Sequence, residues 1–294
     1  METAHARSVR LSDGRRLGYY EFGDPDGVPC VYVPGWPASG LLGGIYDAPA
    51  RDAGVRWISV DKPGIGNSTA DPRRSLLGYA DDLARLADDL GLDRFAVVGE
   101  SGGAPHTFAL AHARPDRLTT AIVVAGMGPA HEKNVREGMG TTNRRLITLA
   151  RRAPWLLRLQ MLMLGRMLRD PAKAQRWERS MRSHALEAER QALDRVDTTW
   201  LTRAAADALR DGGRAATEEL AMITRPWGFA LSDITVPVEL WHGAADRNVP
   251  VAIARRLIDE IPSCTPHILD GYGHSIGAAV CHDVMAAVRK AARD

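Results

Sequence analysis

A single serine, Ser101, stands among three glycines in the sequence G-E-S-G-G at residues 99–103. It follows an apolar run at residues 95–98 and precedes a helical pattern at residues 104–113. The glycines could simply end a strand, because glycine adopts backbone angles that other residues avoid. A sharp turn from strand to helix explains more, since side chains two residues before and after the serine would collide there. The G-x-S-x-G pattern in this context predicts a nucleophilic serine.

A nucleophilic serine needs a base, because its hydroxyl is weakly reactive, and the base must be held by a third group. Asp246 follows a strand pattern at residues 238–241, and His274 lies in a glycine-containing loop after the next strand pattern. The order serine, acid, histidine is typical of such a site on a parallel sheet. Two plainer interpretations stay open: Asp246 caps a helix that begins near Pro250, or His274 is an ordinary loop histidine. We predict that Ser101, Asp246 and His274 are the catalytic residues.

The remaining histidines and the cysteines show no spacing typical of a metal site. His106 lies one helical turn after Ser101 and is expected to be packed or exposed. His242 ends a strand and is expected to bond backbone groups. The cysteines are odd in number and have no paired spacing, which predicts buried free thiols at Cys30, Cys264 and Cys281. No metal and no cofactor are predicted.

Short apolar runs divide the chain into the elements that must position these residues. Two opening segments flank Asp13-Gly14, a dipeptide typical of a hairpin turn, and predict an antiparallel pair. Five later runs have the pattern of strands buried on both faces: residues 30–33, 55–60, 95–98, 121–124 and 238–241. Helical patterns separate most of them. The alternation predicts an α/β fold with a mostly parallel sheet, in which ligands bind beyond the carboxyl ends of the strands.

Residues 78–90 give the clearest helical pattern, with leucines and an alanine at helical spacing. The acidic residues of this helix fall outside the apolar stripe, so we expect them to form a solvated face. They are Asp81, Asp82, Asp88 and Asp89.

The alternation stops between residues 129 and 228, where Arg, Leu, Met and Ala recur with helical periodicity. This stretch predicts a helical insertion. The insertion is more basic than the rest of the chain. Residues 130–230 contain 19 basic and 12 acidic residues, a net charge of +7. Because the whole chain has a net charge of +2, the remaining residues have a net charge of −5. Arginines on exposed helix faces are common, so a role in solubility is the default expectation.

The chain resembles the α/β-hydrolase family in three further stretches. Residues 31–37, V-Y-V-P-G-W-P, look like the family's H-G-x-P oxyanion segment, with Pro34 in place of the histidine. Residues 61–68, D-K-P-G-I-G-N-S, are similar to its D-R-P-G-x-G-x-S loop, which is expected to be mainly architectural, with Lys62 in place of arginine. Residues 129–228 look like the helical cap that the family inserts after its sixth strand. The resemblance covers nearly the whole chain.

This resemblance implies an α/β-hydrolase fold, a mostly parallel eight-stranded sheet flanked by helices. It implies a core domain of residues 1–128 and 229–294 and an inserted helical cap of residues 129–228. It also implies an oxyanion hole made by the backbone N–H groups of Trp36 and Gly102, the residue after the nucleophile. A simple Pro-Gly turn at the end of a strand is the plainer interpretation of the Trp36 segment.

The sequence W-L-L-R-L-Q-M-L-M-L-G-R-M-L at residues 155–168 predicts a short helix with a wide apolar surface. If this helix roofs the Ser101 site, the substrate carries a bulky hydrophobic group. The predicted substrate pocket then consists of Trp36, Met161, Met163 and Met167. A buried helix that touches only protein and a helix that associates with a membrane surface are the alternatives.

Together these residues predict a serine hydrolase that cleaves a carboxylic ester or related acyl bond of a small hydrophobic molecule through an acyl-enzyme intermediate. The dehalogenases and epoxide hydrolases of the family are disfavoured, because they need an aspartate nucleophile where this chain has Ser101. Carbon–carbon bond hydrolases and cofactor-free perhydrolases of the haloperoxidase type use the same triad. A non-hydrolytic ligand receptor or scaffold would keep the same pocket, so these three alternatives stay open.

The composition of the sequence indicates which partners and which cellular location to expect. The 294 residues are 45% hydrophobic, enough for one α/β domain with an insertion, and the net charge of +2 gives no overall attraction to nucleic acid. The first ten residues lack the apolar stretch of a signal peptide, and no apolar run is long enough to span a bilayer. We expect a cytoplasmic protein that binds a small molecule without stable membrane insertion. A homodimer is compatible with the sequence.

Overall fold

Eight strands form one sheet in the structure, a computed structural model that describes residues 5–132 and 136–293. The strands are β1 (Arg7–Arg10), β2 (Arg16–Gly23), β3 (Val28–Val33), β4 (Val55–Val60), β5 (Phe95–Glu100), β6 (Leu118–Val124), β7 (Val238–Gly243) and β8 (Cys264–Leu269). Their order across the sheet is β1-β2-β4-β3-β5-β6-β7-β8. β2 runs antiparallel to both of its neighbours, and the other adjacent pairs are parallel. The predicted opening hairpin and mostly parallel sheet are confirmed.

Helices cover both faces of this sheet and extend beyond its carboxyl edge. They are α1 (Asp47–Asp52), α2 (Leu76–Asp89), α3 (Ala104–Ala113), α4 (Thr141–Arg152), α5 (Pro154–Leu168), α6 (Pro171–His184), α7 (Glu187–Leu193), α8 (Thr199–Ala208), α9 (Arg214–Ile223), α10 (Val251–Glu260) and α11 (Gly277–Ala291). Among the described residues, no helix combines the length and the apolarity that crossing a membrane requires.

Successive residues of the central strands pack on opposite sides of the sheet. In β5, Val97 belongs to a core shared with α2, α3 and α10, whereas Ala96 and Val98 belong to a second core shared with α1 and α11. Strands covered on both faces must be apolar at nearly every position, which is why these runs show no polar alternation. The parallel strands end at one edge of the sheet, and the three predicted catalytic residues follow β5, β7 and β8 at that edge.

Asp82 corrects the predicted solvated face of α2. The other three aspartates of this helix are exposed, but Asp82 is only 7% exposed. The guanidinium of Arg15, in the loop after β1, donates two hydrogen bonds to the Asp82 carboxylate at 2.7 and 2.8 Å. A bidentate partner of this kind allows a carboxylate to be buried, and helical periodicity alone does not reveal it.

The helical segment, defined here as α4–α9, lies between β6 and β7, where the insertion was predicted. It packs on the carboxyl edge of the core through α8 and α9. A Cβ at Gly44 would lie 2.4 Å from the indole of Trp200 in α8, and the Ala204 carbonyl accepts the backbone N–H of Ser39 at 3.2 Å. The boundaries given above for a separate core and cap stay a prediction.

All three cysteines are free thiols, but the predicted burial is wrong for Cys264. Cys30 and Cys281 are buried, and Cys264 is half-buried. Burial raises the pKa of each thiol, to about 11 for Cys264, so the reactive thiolate is disfavoured. These residues act as small apolar side chains of the core.

Candidate active site

Ser101 adopts a left-handed backbone conformation, with φ at +50°, in the turn between β5 and α3. A Cβ at Gly99 would lie 2.1 Å from Oγ1 of Thr107. A Cβ at Gly103 would lie 2.1 Å from the carbonyl oxygen of Val33. Only glycine fits at these two positions, because either contact would push the helix or the strand away. The turn therefore presents the Ser101 side chain at the carboxyl edge of the sheet, as the G-x-S-x-G pattern predicts.

A chain of hydrogen bonds joins Ser101 to His274 and Asp246. Nε2 of His274 lies 3.0 Å from Oγ of Ser101, and Nδ1 of His274 lies 2.8 Å from Oδ2 of Asp246. When Nδ1–H donates to the carboxylate, Nε2 carries the lone pair that can accept the serine proton. The structure thus brings the three predicted catalytic side chains within hydrogen-bonding distance of one another.

Asp246 uses its two carboxylate oxygens for different tasks. Oδ1 accepts the backbone N–H groups of Asn248 and Val249 at 2.7 and 2.9 Å, which closes the loop ahead of α10. Oδ2 is left for His274. Burial alone would raise the pKa of Asp246, but the neighbouring His274 holds it below its ordinary value. The carboxylate is therefore ionised at neutral pH and fixed in orientation.

His242, the neighbour of this pair, is buried and neutral. Its Nε2 lies 2.8 Å from the carbonyl oxygen of Val249 and 3.6 Å from Oδ2 of Asp246. Burial lowers the pKa of His242, so it donates Nε2–H to the backbone, which confirms the predicted backbone contact. Within the described residues, no group of three or more His, Cys, Asp and Glu side chains is arranged to hold a metal ion.

The backbone N–H of Trp36 lies beside Gly102 and the nucleophile. A Cβ at Gly102 would lie 3.1 Å from the Trp36 nitrogen, and a Cβ at Gly35 would lie 3.3 Å from Cβ of Ser101. In the part of the chain that the structure describes, no group accepts the Trp36 N–H. This arrangement leaves a donor next to Ser101 that suits a developing oxyanion. An oxyanion hole formed by Trp36 and Gly102 stays a prediction.

Lys62 holds the carbonyl groups of the same loop. Its buried Nζ donates hydrogen bonds to the carbonyl oxygens of Pro34 and Gly35 at 2.9 and 3.0 Å. A third partner is Glu219 of α9, whose Oε1 lies 2.7 Å from Nζ. The 61–68 loop therefore does more than the architectural role expected from sequence, because Lys62 fixes the backbone that presents the Trp36 N–H.

Glu219 is a carboxylate that the helical segment inserts into the core, with 1% of its surface exposed. Burial alone would raise the pKa of Glu219, but Lys62 and His106 hold it below its ordinary value. His106 is itself buried, with Nε2 3.7 Å from Oε1 of Glu219, and burial lowers the pKa of this histidine. The Lys62–Glu219 ion pair thus joins α9 to the loop beside the nucleophile.

Helix α9 also places apolar surface next to the nucleophile turn. Cδ1 of Ile223 lies 3.5 Å from the position that a Gly102 Cβ would occupy. The indole N–H of Trp36 donates to the carbonyl oxygen of Ala216 at 2.6 Å, which orients the ring under α9. The sequence does not predict this position of Ile223, because periodicity shows which residues share a helix face but not what that face covers.

The structure corrects the substrate pocket predicted from α5. Met163 is 62% exposed on the outer surface, so its assignment to the pocket is wrong. Met161 is buried against the turn after α8, where a Cβ at Gly213 would lie 2.3 Å from Cβ of Met161. Met167 is half-buried, and pocket roles for it and for Met161 stay predictions. The wide apolar surface of α5 arises because one face packs inside the helical segment while the other faces solvent.

Glu189 of α7 reaches from the helical segment to the histidine loop. Its carboxylate is 2% exposed and accepts the backbone N–H of Ser275, the residue after His274, at 2.6 Å and that of Leu186 at 2.8 Å. A Cβ at Gly273 would lie 3.3 Å from Oε2 of Glu189. Glu189 therefore holds the backbone just after His274 and lies close to Gly273 just before it, a role with no signal in the sequence.

Glu100, the residue before the nucleophile, adds a further negative charge. Its carboxylate accepts hydrogen bonds from the hydroxyls of Tyr32 and Tyr46 at 2.5 and 2.8 Å. Burial alone would lower the pKa of His274, but Asp246 raises it above its ordinary value, with Glu100 and Glu189 adding to the effect. The site is thus arranged to stabilise a protonated imidazole.

The sequence profile of the Alpha/beta hydrolase family matches residues 30–290, a range that contains Ser101, Asp246 and His274. The chain belongs to the α/β-hydrolase family. Membership agrees with the order of strands and with the position of the helical segment after β6.

Curated relatives in this family match different shares of the chain. A 2-hydroxy-6-oxononadienedioate/2-hydroxy-6-oxononatrienedioate hydrolase from Cupriavidus pinatubonensis is 28% identical over 232 residues, which cover 77% of this chain and 72% of the relative. A non-heme chloroperoxidase from Streptomyces lividans is 31% identical over 129 residues, 43% of this chain and 47% of the relative. The match to the chloroperoxidase thus spans about half of that protein's length.

Solved structures of the family are similar over nearly the whole chain. A thermophilic esterase from Thermogutta terrifontis is 21% identical with a TM-score of 0.65, covering 99% of this chain and 98% of its own. A bromoperoxidase from Bacillus anthracis is 19% identical with a TM-score of 0.69, covering 99% of this chain and 100% of its own. At these identities the likeness shows the fold alone.

Proposed function

We propose that this protein is a serine hydrolase that cleaves a carboxylic ester or related acyl bond of a small hydrophobic molecule through an acyl-enzyme intermediate. The hydrogen-bonded chain from Ser101 through His274 to Asp246 carries the proposal. This row of hydrogen bonds has the geometry that activates a serine for attack on a carbonyl carbon. The family relationship and the named hydrolase relative support a hydrolytic reaction.

In the first half of the proposed reaction, Oγ of Ser101 attacks the acyl carbon while Nε2 of His274 takes its proton. Asp246 holds the imidazole tautomer and stabilises its charged form. The backbone N–H groups of Trp36 and Gly102 stabilise the negative charge that develops on the carbonyl oxygen. His274 then protonates the leaving alcohol, and the acyl group stays on Ser101.

In the second half, water replaces the alcohol. His274 accepts a proton from this water, which attacks the acyl carbon and releases the acid, and the proton returns to Oγ of Ser101. The reaction uses side chains, backbone N–H groups and water. The half-buried ring of Trp36, next to Gly102, favours a hydrophobic acyl group, and the buried Ile223 closes the apolar side behind it.

Two alternative reactions use the same side chains. A cofactor-free perhydrolase of the haloperoxidase type is supported by the match to a chloroperoxidase, and a carbon–carbon bond hydrolase also needs a serine, a histidine and an acid. A ligand receptor would bind without turnover. Short p-nitrophenyl esters separate the hydrolase from the receptor, because an acyl-enzyme gives a burst of p-nitrophenol. Ester, thioester, diketone and peracid substrates, tested in one panel with and without a chelator, then identify the bond that is cleaved.

The raised pKa of His274 gives the reaction a defined pH dependence. His274 must be neutral to accept the serine proton, so kcat/KM should fall as the pH falls through the pKa of this histidine. Because that pKa is raised, the acid limb should lie at a higher pH than an unperturbed histidine would give. The measurement is kcat/KM for p-nitrophenyl acetate against pH. An acid limb below the ordinary histidine range would contradict the assignment.

Glu189 is a positioning residue in this scheme, and two substitutions separate its charge from its hydrogen bonds. Glu189→Gln keeps an acceptor for the Ser275 N–H but removes a negative charge near His274, so the acid limb should move to lower pH with kcat largely kept. Glu189→Ala also removes the acceptor, so kcat should fall about tenfold or more as His274 loses its placement. If the acid limb of the pH profile does not move in Glu189→Gln, the charge of Glu189 does not affect the pKa of His274.

Ile223→Thr tests the hydrophobic acyl site. Ile223 is fully buried behind the nucleophile turn, and this change replaces a methyl-bearing branch there by a hydroxyl. kcat/KM for p-nitrophenyl butyrate should fall about tenfold relative to the acetate ester, with thermal unfolding as the check that the fold is kept. The matched control is Met181→Ser, an apolar-to-polar change at a 45% exposed position of α6, which should alter neither rate. If kcat/KM falls equally for both esters in Ile223→Thr, the acyl group does not bind next to Ile223.

A further inference from the structure

Helices α4 and α5 carry a long basic stretch without a single acidic residue. Residues 138–169 contain seven arginines and neither Asp nor Glu. All seven are exposed: Arg144, Arg145, Arg151, Arg152, Arg158, Arg166 and Arg169. In residues 5–132 and 136–293, none of the seven forms an ion pair with a carboxylate. Later in the helical segment, Arg182, Arg190, Arg210 and Arg214 each have an acidic partner, whereas Arg176, Arg179, Arg195 and Arg203 have none among the described residues.

The outer face of α5 adds exposed apolar side chains to this positive charge. Trp155, Leu159 and Met163 are 71%, 46% and 62% exposed. Their four-residue spacing places them on one face of the helix, and Arg158 and Arg166 fall three residues after Trp155 and Met163 on the same side. The opposite face of α5 is buried in the helical segment. The exposed stripe is therefore not needed to hold the helix in the fold.

Two of the four arginines of α4 lie close to α5. An open depression of about 490 Å³ is lined by Arg144, Arg145 and Thr148 of α4 and by Gln160 of α5. Gln160 directly follows Leu159 in the sequence, so the depression connects the two helices at the outer surface. We name the seven arginines together with Trp155, Leu159 and Met163 the basic apolar face.

We propose that the basic apolar face binds the surface of an anionic lipid bilayer. Arginine guanidinium groups bond lipid phosphates, and tryptophan is suited to the boundary between head groups and acyl chains. Leu159 and Met163 would be buried at the top of the acyl-chain layer. Each basic residue close to an anionic membrane raises binding about fivefold, so seven arginines without a carboxylate partner supply substantial attraction, although Arg151 and Arg169 also donate to backbone carbonyl groups. The helices lie on the bilayer and do not cross it.

A second copy of the chain and a nucleic acid each fit the basic apolar face less well than an anionic bilayer does. A symmetric dimer would place the same patch on both subunits, and the arginines of the two copies would then repel each other across the contact. Nucleic acid would pair with the arginines but would leave the Trp155 stripe without an apolar partner. An anionic bilayer offers phosphates and an apolar layer together, so it complements both parts of the face.

Vesicle flotation tests the proposal with the full chain. The vesicles are either pure phosphatidylcholine or equal parts of phosphatidylcholine and phosphatidylglycerol. The protein should float with the anionic vesicles at about 50 mM salt, should bind them at least tenfold more weakly at about 500 mM salt, and should stay unbound with phosphatidylcholine alone. Failure to bind anionic vesicles at low salt, or equal binding to both kinds, would overturn the proposal.

Two variants with matched controls assign the binding to this face. Arg151→Ser with Arg152→Ser removes two charges from the last turn of α4 and should weaken binding about 25-fold. Arg289→Ser with Lys290→Ser makes the same change in the last turn of α11 and should weaken it less than twofold. Trp155→Ser with Leu159→Ser should weaken binding tenfold or more, whereas Ile268→Ser, at a 36% exposed position of β8, should not.

Thermal unfolding checks that each variant keeps its fold. Equal losses in the α4 and α11 pairs would overturn the proposal, because binding would then follow total charge rather than this face. Sedimentation velocity without lipid gives the last comparison. If the wild type forms a dimer that Trp155→Ser with Leu159→Ser abolishes, the stripe is a contact between copies of the chain, and the lipid proposal is wrong.

Discussion

Replacing Ser101 by alanine should lower kcat about 10⁴-fold to 10⁶-fold, because the hydroxyl that forms the covalent intermediate is lost. The rest of the site should persist. Glycines and backbone contacts build the turn around position 101, and His274 is held independently by Asp246. Ester hydrolysis measured with p-nitrophenyl acetate gives the rate. Thermal unfolding gives the stability, which should change by less than about 1 kcal/mol.

A fluorophosphonate probe supplies the control for this variant. It should label wild-type protein at Ser101, as identified by mass spectrometry of the digest, and should leave Ser101→Ala unlabelled. Ser275, a neighbouring serine on the His274 loop, is the comparison residue, because Ser275→Ala should retain both labelling and turnover. Full activity in Ser101→Ala, or labelling at another residue, would disprove the serine mechanism.

Replacing Lys62 by methionine should have the largest effect on stability, lowering the free energy of unfolding by about 3–5 kcal/mol. The change leaves the Glu219 carboxylate buried without its cation and leaves two carbonyl groups without their donor. The control is Lys173→Met, the same substitution in an exposed pair with Asp170, which should cost less than about 1 kcal/mol. Denaturant unfolding of both variants measures the difference. Equal costs would show that the Lys62–Glu219 pair contributes no more than a surface pair.

The pH dependence of stability and a second substitution separate the effect of Lys62 on the buried charge of Glu219 from its effect on the loop carbonyl groups. The lowered pKa of Glu219 means that its stabilisation is present above the unfolded pKa and is lost as the pH falls through the folded value. In Lys62→Met the buried carboxyl is instead expected to protonate readily, so the stability gap between wild type and variant should narrow towards acid pH. Lys62→Met should also lower kcat, because the carbonyl groups of Pro34 and Gly35 lose their donor. Adding Glu219→Leu should restore much of the stability but should leave kcat low, because these carbonyl groups still lack a donor.

The parts of the site that the sequence predicts well depend on local geometry. The G-x-S-x-G pattern identifies Ser101, because a strained turn with close neighbours admits only glycine at two fixed positions. Asp246 and His274 follow from it, because parallel strands end at one edge and the chain order is restricted. The strands themselves are recognisable, since burial on both faces requires continuous apolar runs.

The contacts that the sequence does not predict join distant segments. Glu189 and Glu219 lie in amphipathic helices, where a carboxylate ordinarily faces solvent, and only the tertiary contact with Ser275 or Lys62 shows why each is buried. Asp82 is the same case in the core, where Arg15 supplies the partner. Met163 shows the reverse error, since an apolar residue on a short helix is assumed to be covered.

The buried carboxylates of the helical segment have a consequence for chimeric enzymes. One way to change the substrate range of such a fold is to graft the inserted helices of one family member onto the core of another. Here the graft would remove Glu219 from Lys62 and Glu189 from the Ser275 N–H, so the recipient would keep an isolated buried ammonium and an unsupported histidine loop. A functional chimera must therefore have glutamates equivalent to Glu189 and Glu219 in the grafted helices, because replacing Lys62 in the recipient would remove the isolated ammonium but would leave the histidine loop unsupported.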